Sequence, residues 1–160
     1  MKTLEEQRTQ LVRALAGKDA HVDFNAAIAN FPVKLRGQKP DGAPHTAWQL
    51  LEHMRIAQAD ILEFCVNPNY KEPAWPDDYW PKTPAPPDES AWERSIAAFQ
   101  HDLKSMQSLV ADSSRELYSR IPHGGGQTLF REALLVVDHN SYHLGQLVMI
   151  RYLLGIWPPR

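Results

Sequence analysis

His139 and His143 lie four residues apart in Asp138-His139-Asn140-Ser141-Tyr142-His143-Leu144-Gly145-Gln146, inside the longest apolar stretch of the 160-residue chain. On a helix, a four-residue step turns about 40° and rises about 6 Å, so both imidazoles share one face. Two neutral imidazoles on one face begin a site for a divalent ion. Such an ion takes a third protein ligand when one position is kept for water or substrate. Among the remaining histidines, His21 falls on a short helix, His45 precedes a helix cap, His101 sits between core positions and His123 is in a glycine loop. His53 alone lies at mid-helix beside an apolar stripe, which makes it the candidate third ligand. His53, His139 and His143 would then give three nitrogens on one side of the ion and leave open positions on the other. An ion held there is a Lewis acid that lowers the pKa of a bound water or thiol. Nickel, zinc, cobalt, iron and manganese all accept such a set. Spacing alone leaves a metal-free reading open, because histidines four apart also occur on helices without a ligand role.

The neighbours carry paired readings. Gln146 follows His143 by one turn and Gln49 precedes His53 by one turn, so each either orients a ligand or is a helix-packing amide. Glu132, seven residues before His139, shares nearly its azimuth two turns away; it either lines the pocket or complements the helix dipole. Glu52 and Asp138 precede ligands by one residue, point about 100° away, and read as solvated faces. Cys65, about 18 Å along the axis from His53, reads as a packing residue. Gly124-Gly125-Gly126 lacks the Lys-Ser/Thr of a phosphate loop and reads as a turn.

These side chains need elements to hold them. Thr3-Leu4-Glu5-Glu6 has the form of a capping box, and Leu4, Leu11, Val12 and Leu15 follow at helical spacing to a stop at Gly17, predicting a helix over 3–16. Asp19 is a candidate cap for a short second helix running toward Phe31 and Pro32. Thr46-Ala47-Trp48-Gln49 repeats the capping-box pattern before the stripe Ala47, Leu50, Leu51, Met54, Ile61 and Leu62, a helix ending near Cys65 or Val66. Pro68 to Pro87 holds seven prolines with Tyr70, Trp75, Tyr79 and Trp80 between them. That excludes regular helix or central strand and predicts a crossover loop packed on the body, either covering the metal cleft or shielding the bundle. Ser90-Ala91-Trp92-Glu93 reads as a third capping box, followed by Trp92, Ile96, Phe99, Leu103, Met106 and Val110. A last helix is expected from about Thr128 to Leu154, stopped by Gly155 and Pro158. The fold expected is all-α: a four-helix bundle with a short accessory helix and a long Pro/aromatic crossover, in one domain over 1–160.

Composition narrows the partners. A formal net charge of -2 gives no overall pull toward nucleic acid or an anionic membrane. Leu134 to Leu154 has the length of a membrane span, yet Asp138, His139, His143, Gln146 and Arg151 interrupt it, so it reads as a buried bundle helix. One cysteine excludes an internal disulfide. The amino terminus Met-Lys-Thr-Leu-Glu-Glu-Gln carries no apolar targeting segment, so a cytoplasmic location is expected.

Three pieces, Trp48-Gln49-Leu50-Leu51-Glu52-His53-Met54, the Trp75-Pro76 to Trp80-Pro81 loop, and the segment from Asp138 to Gln146, resemble the DinB/YfiT-like superfamily of bacterial metalloenzymes. The resemblance covers most of the chain, and His-x-x-x-His-x-Gly-Gln is its most specific part. It implies a four-helix bundle, often dimeric, with metal ligands at His53, His139 and His143. Members with assigned reactions include thiol-dependent S-transferases and a mycothiol-dependent maleylpyruvate isomerase, in which the metal activates a low-molecular-weight thiol. Leu144 stands where many relatives carry Arg, which weakens any transfer of substrate-anion recognition. The expectation is a metal-dependent transfer of a small thiol to a small electrophile. A metal-dependent hydrolase and a non-catalytic metal-binding stress or sensor protein are the alternatives.

Overall fold

The computed structural model describes residues 2–159. Four long helices, α1 (Lys2–Ala16), α3 (Ala47–Val66), α4 (Ala91–Ala111) and α5 (Leu129–Leu153), form the bundle. The accessory α2 is Phe24–Ile28, followed by one 3-10 turn at Val33–Leu35. Both α3 and α1 pack against α4 and α5, and α2 lies on α5. Among the described residues there is no strand, only an isolated antiparallel bridge between Arg120 and Thr128 that closes the glycine loop before α5. No described helix is long and apolar enough to cross a membrane.

Helix ends follow local chemistry, with three corrections to the expected caps. At α3 the full capping box forms: Thr46 Oγ1 accepts from Gln49 N–H at 3.1 Å and Gln49 Oε1 accepts from Thr46 N–H at 3.0 Å. Thr128 likewise caps α5 by accepting from Arg131 N–H. The Thr3 box does not form, because α1 already runs from Lys2 and places Thr3 inside the helix. The cap of the second helix is Asp23, which accepts from Ala26 N–H; Asp19 instead pairs with Arg13. Ser90 makes no side-chain cap bond, because the nearby Asp88 carboxylate takes its hydroxyl at 2.9 Å. Gly17 ends α1 at φ +65°, a conformation that costs other residues energy.

The core divides into two clusters. One packs Phe24 and Phe31 beneath Trp48, Leu51, Trp92, Phe99 and Leu147. The other joins Leu11 and Leu15 of α1 to Met106, Val110, Leu117 and Val136. Each fully buried large apolar side chain contributes about 1.5–3 kcal/mol, so these clusters hold the helices at fixed spacing. Between them a polar bridge crosses the bundle. Asn140 Nδ2 donates to Gln58 Oε1 at 2.8 Å, and Gln58 Nε2 donates to the Phe99 carbonyl at 2.7 Å. Both polar atoms of the Gln58 amide are paired in this way, while Asn140 Oδ1 has no partner, so the Gln58 side chain ties α3 to both α4 and α5.

The crossover between α3 and α4 is packed on the body at several points. Thr46 Oγ1 donates to the Pro84 carbonyl at 2.6 Å. Ala85 sits so close to Gly37 that a Cβ there would stand 2.3 Å from the Ala85 Cβ. Any side chain at 37 would push the loop away.

Candidate metal centre

The α3 register puts His53 two turns inside the helix, on the face toward α5, where it is 2 % exposed. The α5 register puts His139 and His143 on the opposing face, one turn apart. One ring nitrogen from each of the three falls within 4.8 Å of the others. The Nε2 atoms of His53 and His139 are 3.1 Å apart. Ligand nitrogens about 2.0–2.1 Å from a tetrahedral zinc ion stand about 3.4 Å from one another, so the three need to shift little to share an ion.

Tautomers follow from the partners. His53 Nδ1 faces the Tyr79 carbonyl at 2.7 Å, and a carbonyl only accepts, so Nδ1 carries the proton and Nε2 the lone pair. His143 Nδ1 donates to Gln146 Oε1 at 2.8 Å, which likewise leaves Nε2 as the lone-pair nitrogen. His139 Nδ1 is buried without a partner. Burial pushes His53 down to about 4, with the Tyr79 carbonyl opposing and His143 and His45 adding to the shift. Burial also pushes His139 down to about 4, helped by the other two imidazoles, and lowers His143. Three imidazoles disfavoured as cations by burial, with the lone pairs of His53 and His143 on Nε2 and His139 Nε2 beside that of His53, offer a divalent cation neutral nitrogen donors. The donor set fits such an ion.

The site opens into a cavity of about 770 Å³ between α3, α5 and the crossover loop. Trp80 lies flat on His53, centroids 3.8 Å apart, and His45 stacks on the other side of Trp80 at 4.1 Å. Asp60, two turns past His53 on the same face of α3, accepts from Tyr70 Oη at 2.8 Å and from Tyr79 Oη at 2.7 Å. Phe64, Trp75, Tyr142, Arg131 and Glu132 complete the walls. The crossover loop therefore lines the cleft and supplies two partners of His53, the Tyr79 carbonyl and the Trp80 ring.

A family model for the DinB superfamily matches residues 3–147. The chain belongs to the DinB superfamily. No curated protein and no solved structure matched it. The DinB match and the helical bundle agree, and the three histidines singled out by spacing meet in one place.

The other expected site residues separate. Gln146 stands on the cleft wall, bonded to His143. Glu132 also lines the cleft, 3 % exposed and bonded at 2.7 Å to Arg131. Gln49 is spent on the α3 cap and does not line the cleft. Asp138 is exposed as expected, but Glu52 is half-buried: it pairs with Arg55 at 2.6 Å and accepts from Ser95 Oγ of α4 at 2.7 Å. Cys65 lines a different cavity, and burial, with Glu132 adding to it, pushes its thiol up to about 12. Sequence reasoning missed His45, Asp60, Tyr70 and Tyr79. Asp60 carried a readable signal, since it follows His53 by the same seven-residue step that singled out Glu132. The crossover aromatics signalled a loop packed on the body, but nothing marked Tyr79 as the partner of His53 or Tyr70 as a partner of Asp60, and His45 carried no signal.

Proposed function

We propose that this DinB-superfamily protein is a metal-dependent enzyme in which His53, His139 and His143 hold one divalent ion, of nickel, zinc, cobalt, iron or manganese. The reaction we assign is transfer of a low-molecular-weight thiol to a small electrophile. The observation that supports it above all is the convergence of three neutral imidazoles at the floor of an open cleft. A bound ion would supply Lewis acidity, lowering the pKa of a thiol so that it reacts as thiolate. The chain's own part is to hold the lone pairs in place through Tyr79 and Gln146, and to screen the His53 face from water with Trp80. The aromatic walls give an electrophile apolar surface to pack on. Among the described residues no lysine lines the cleft, Arg131 there is paired with Glu132, and Leu144 stands where many relatives carry arginine, so the reading favours electrophiles that do not depend on anion recognition through that position.

The test is turnover. Metal-loaded protein should consume a small thiol together with an electrophilic acceptor, and His139→Ala should not. Equal turnover by metal-free and mutant protein would overturn the assignment. Turnover that needs metal but no thiol would select hydrolysis instead. Tight metal binding with no turnover on either panel would select a binding or sensing role. We further propose one domain over 1–160, a cytoplasmic protein and a homodimer. The exposed Met149, Tyr152 and Leu153 on α5 support the dimer, and sedimentation at several concentrations checks it.

A further inference from the structure

We propose that Asp60 and Tyr79 are positioning residues for the metal centre: the Asp60 carboxylate pins the Tyr79 phenol and thereby holds the Tyr79 carbonyl on His53 and the Trp80 ring against it. The inference rests on the reading that His53 is a metal ligand, and its observations are geometric. Tyr70 and Tyr79 are the two feet of one loop, and both phenols end on Asp60, at 2.8 Å on Oδ1 and 2.7 Å on Oδ2. Between the feet, residues 71, 72 and 74–78 are exposed, so burial does little to fix the loop from that side. The turn is tied within itself, with Ala74 N–H donating to Asp78 Oδ2 at 2.9 Å and Lys82 Nζ to the Asp77 carbonyl at 2.6 Å. Neither bond reaches the helices. Beyond Trp80 the loop is anchored again, by Thr46 on the Pro84 carbonyl.

Asp60 is therefore the anchor on the near side of the residues that touch His53. One helix, α3, carries both the ligand and the anchor, about 10 Å apart along its axis and nearly aligned in azimuth. The chain of contacts is short: Asp60 to the Tyr79 phenol, the Tyr79 carbonyl to His53 Nδ1–H at 2.7 Å, and the next residue's indole on the His53 ring at 3.8 Å. Burial and the Asp60 carboxylate push both phenols above the usual tyrosine range, so they stay protonated and keep donating across the pH range of interest. Partners that fix the tautomer and orientation of a ligating histidine are worth about 10–100-fold in metal affinity. Asp60 would act at one remove from that partner.

The experiment titrates Co2+ into the full chain and into Tyr79→Phe, Asp60→Asn and Tyr70→Phe. Absorption reports binding, and nitrogen-resolved NMR of the metal-free proteins follows the His53 Nδ1–H. Tyr79→Phe deletes one oxygen and keeps the carbonyl, so it separates clamping from folding even where Asp60→Asn is destabilised. Expected are about tenfold weaker Co2+ binding by Tyr79→Phe and Asp60→Asn, a smaller loss for Tyr70→Phe, and faster solvent exchange of the His53 proton in the first two. Wild-type binding with Tyr79→Phe and Asp60→Asn unchanged, and the His53 proton equally protected, would overturn the positioning role. Failure of the wild type to bind Co2+ would overturn the metal reading. The same exchange response without metal would still support the clamp.

Discussion

The indole of Trp80 and the imidazole of His53 are stacked 3.8 Å apart with planes 2° from parallel, so one face of a candidate ligand is sealed by a residue of the crossover loop. Trp80→Ala removes that seal. Water then reaches His53, and its pKa should rise from about 4 toward the ordinary 6.5. NMR titration of the ring carbons checks the shift. Metal binding should weaken at mildly acidic pH, where His53 now holds a proton. An unmoved His53 pKa would mean that the helices alone bury the ring.

The depressed histidines also set a pH dependence of folding in metal-free protein. His53 and His139 titrate near 4 when folded and near 6.5 when unfolded. Between these values the unfolded chain binds more protons, so stability rises with pH across the window. Stability present above about pH 6.5 is therefore lost as pH falls toward 4. Urea unfolding at pH 7.5, 6.0 and 5.0 should show the midpoint falling, with a shallower fall in the His53→Ala, His139→Ala double variant. The carboxylates held low by their partners, Asp88 and Asp112, lose their contribution only at more acidic pH. A midpoint constant from pH 7.5 to 5.0 would contradict the burial of these rings as neutral groups.

Gln146 and Gln49 sit one turn from a histidine each, yet they should behave oppositely. Gln146→Leu removes the acceptor of His143 Nδ1–H and should weaken divalent-metal binding by roughly 10–100-fold. Gln49→Ala removes half of the α3 capping box, one hydrogen bond, and should cost about 0.5–1.5 kcal/mol of stability with metal affinity unchanged. Calorimetric metal titration and chemical denaturation of both variants separate the roles. Metal loss in Gln49→Ala beyond its stability change would place that amide at the site after all.

That contrast marks what the sequence could carry. Period and capping chemistry are local, so the helix over 47–66, the last helix and the shared face of His139 and His143 were readable from spacing. The Ser90 cap failed because a competing acceptor, Asp88, lies two residues away, and a local template does not weigh two local partners against each other. Glu52 was assigned to solvent from its azimuth alone, whereas α4 approaches that azimuth with Ser95. Tyr79 was out of reach for a different reason. It acts through its backbone carbonyl, which every residue has, at a position fixed by loop contacts 19 residues away at Asp60.

The buried amide bridge should be a costly polar site to break. Gln58 is 1 % exposed and Asn140 is 8 % exposed. Gln58→Ala leaves the Phe99 carbonyl without this side-chain donor and Asn140 Nδ2 without its acceptor, and it opens a cavity between α3, α4 and α5. An unsatisfied buried group costs about 1–3 kcal/mol, so the variant should lose at least that much, in addition to the cavity cost. Gln58→Leu fills most of the volume but restores no bond, so it should recover the cavity part alone. Asn140 adjoins His139, and loosening it should also reach the site: Co2+ affinity in Gln58→Leu should fall less than in Gln146→Leu while stability falls more. Equal stability of Gln58→Leu and wild type would show that the bridge ties the helices without holding the fold.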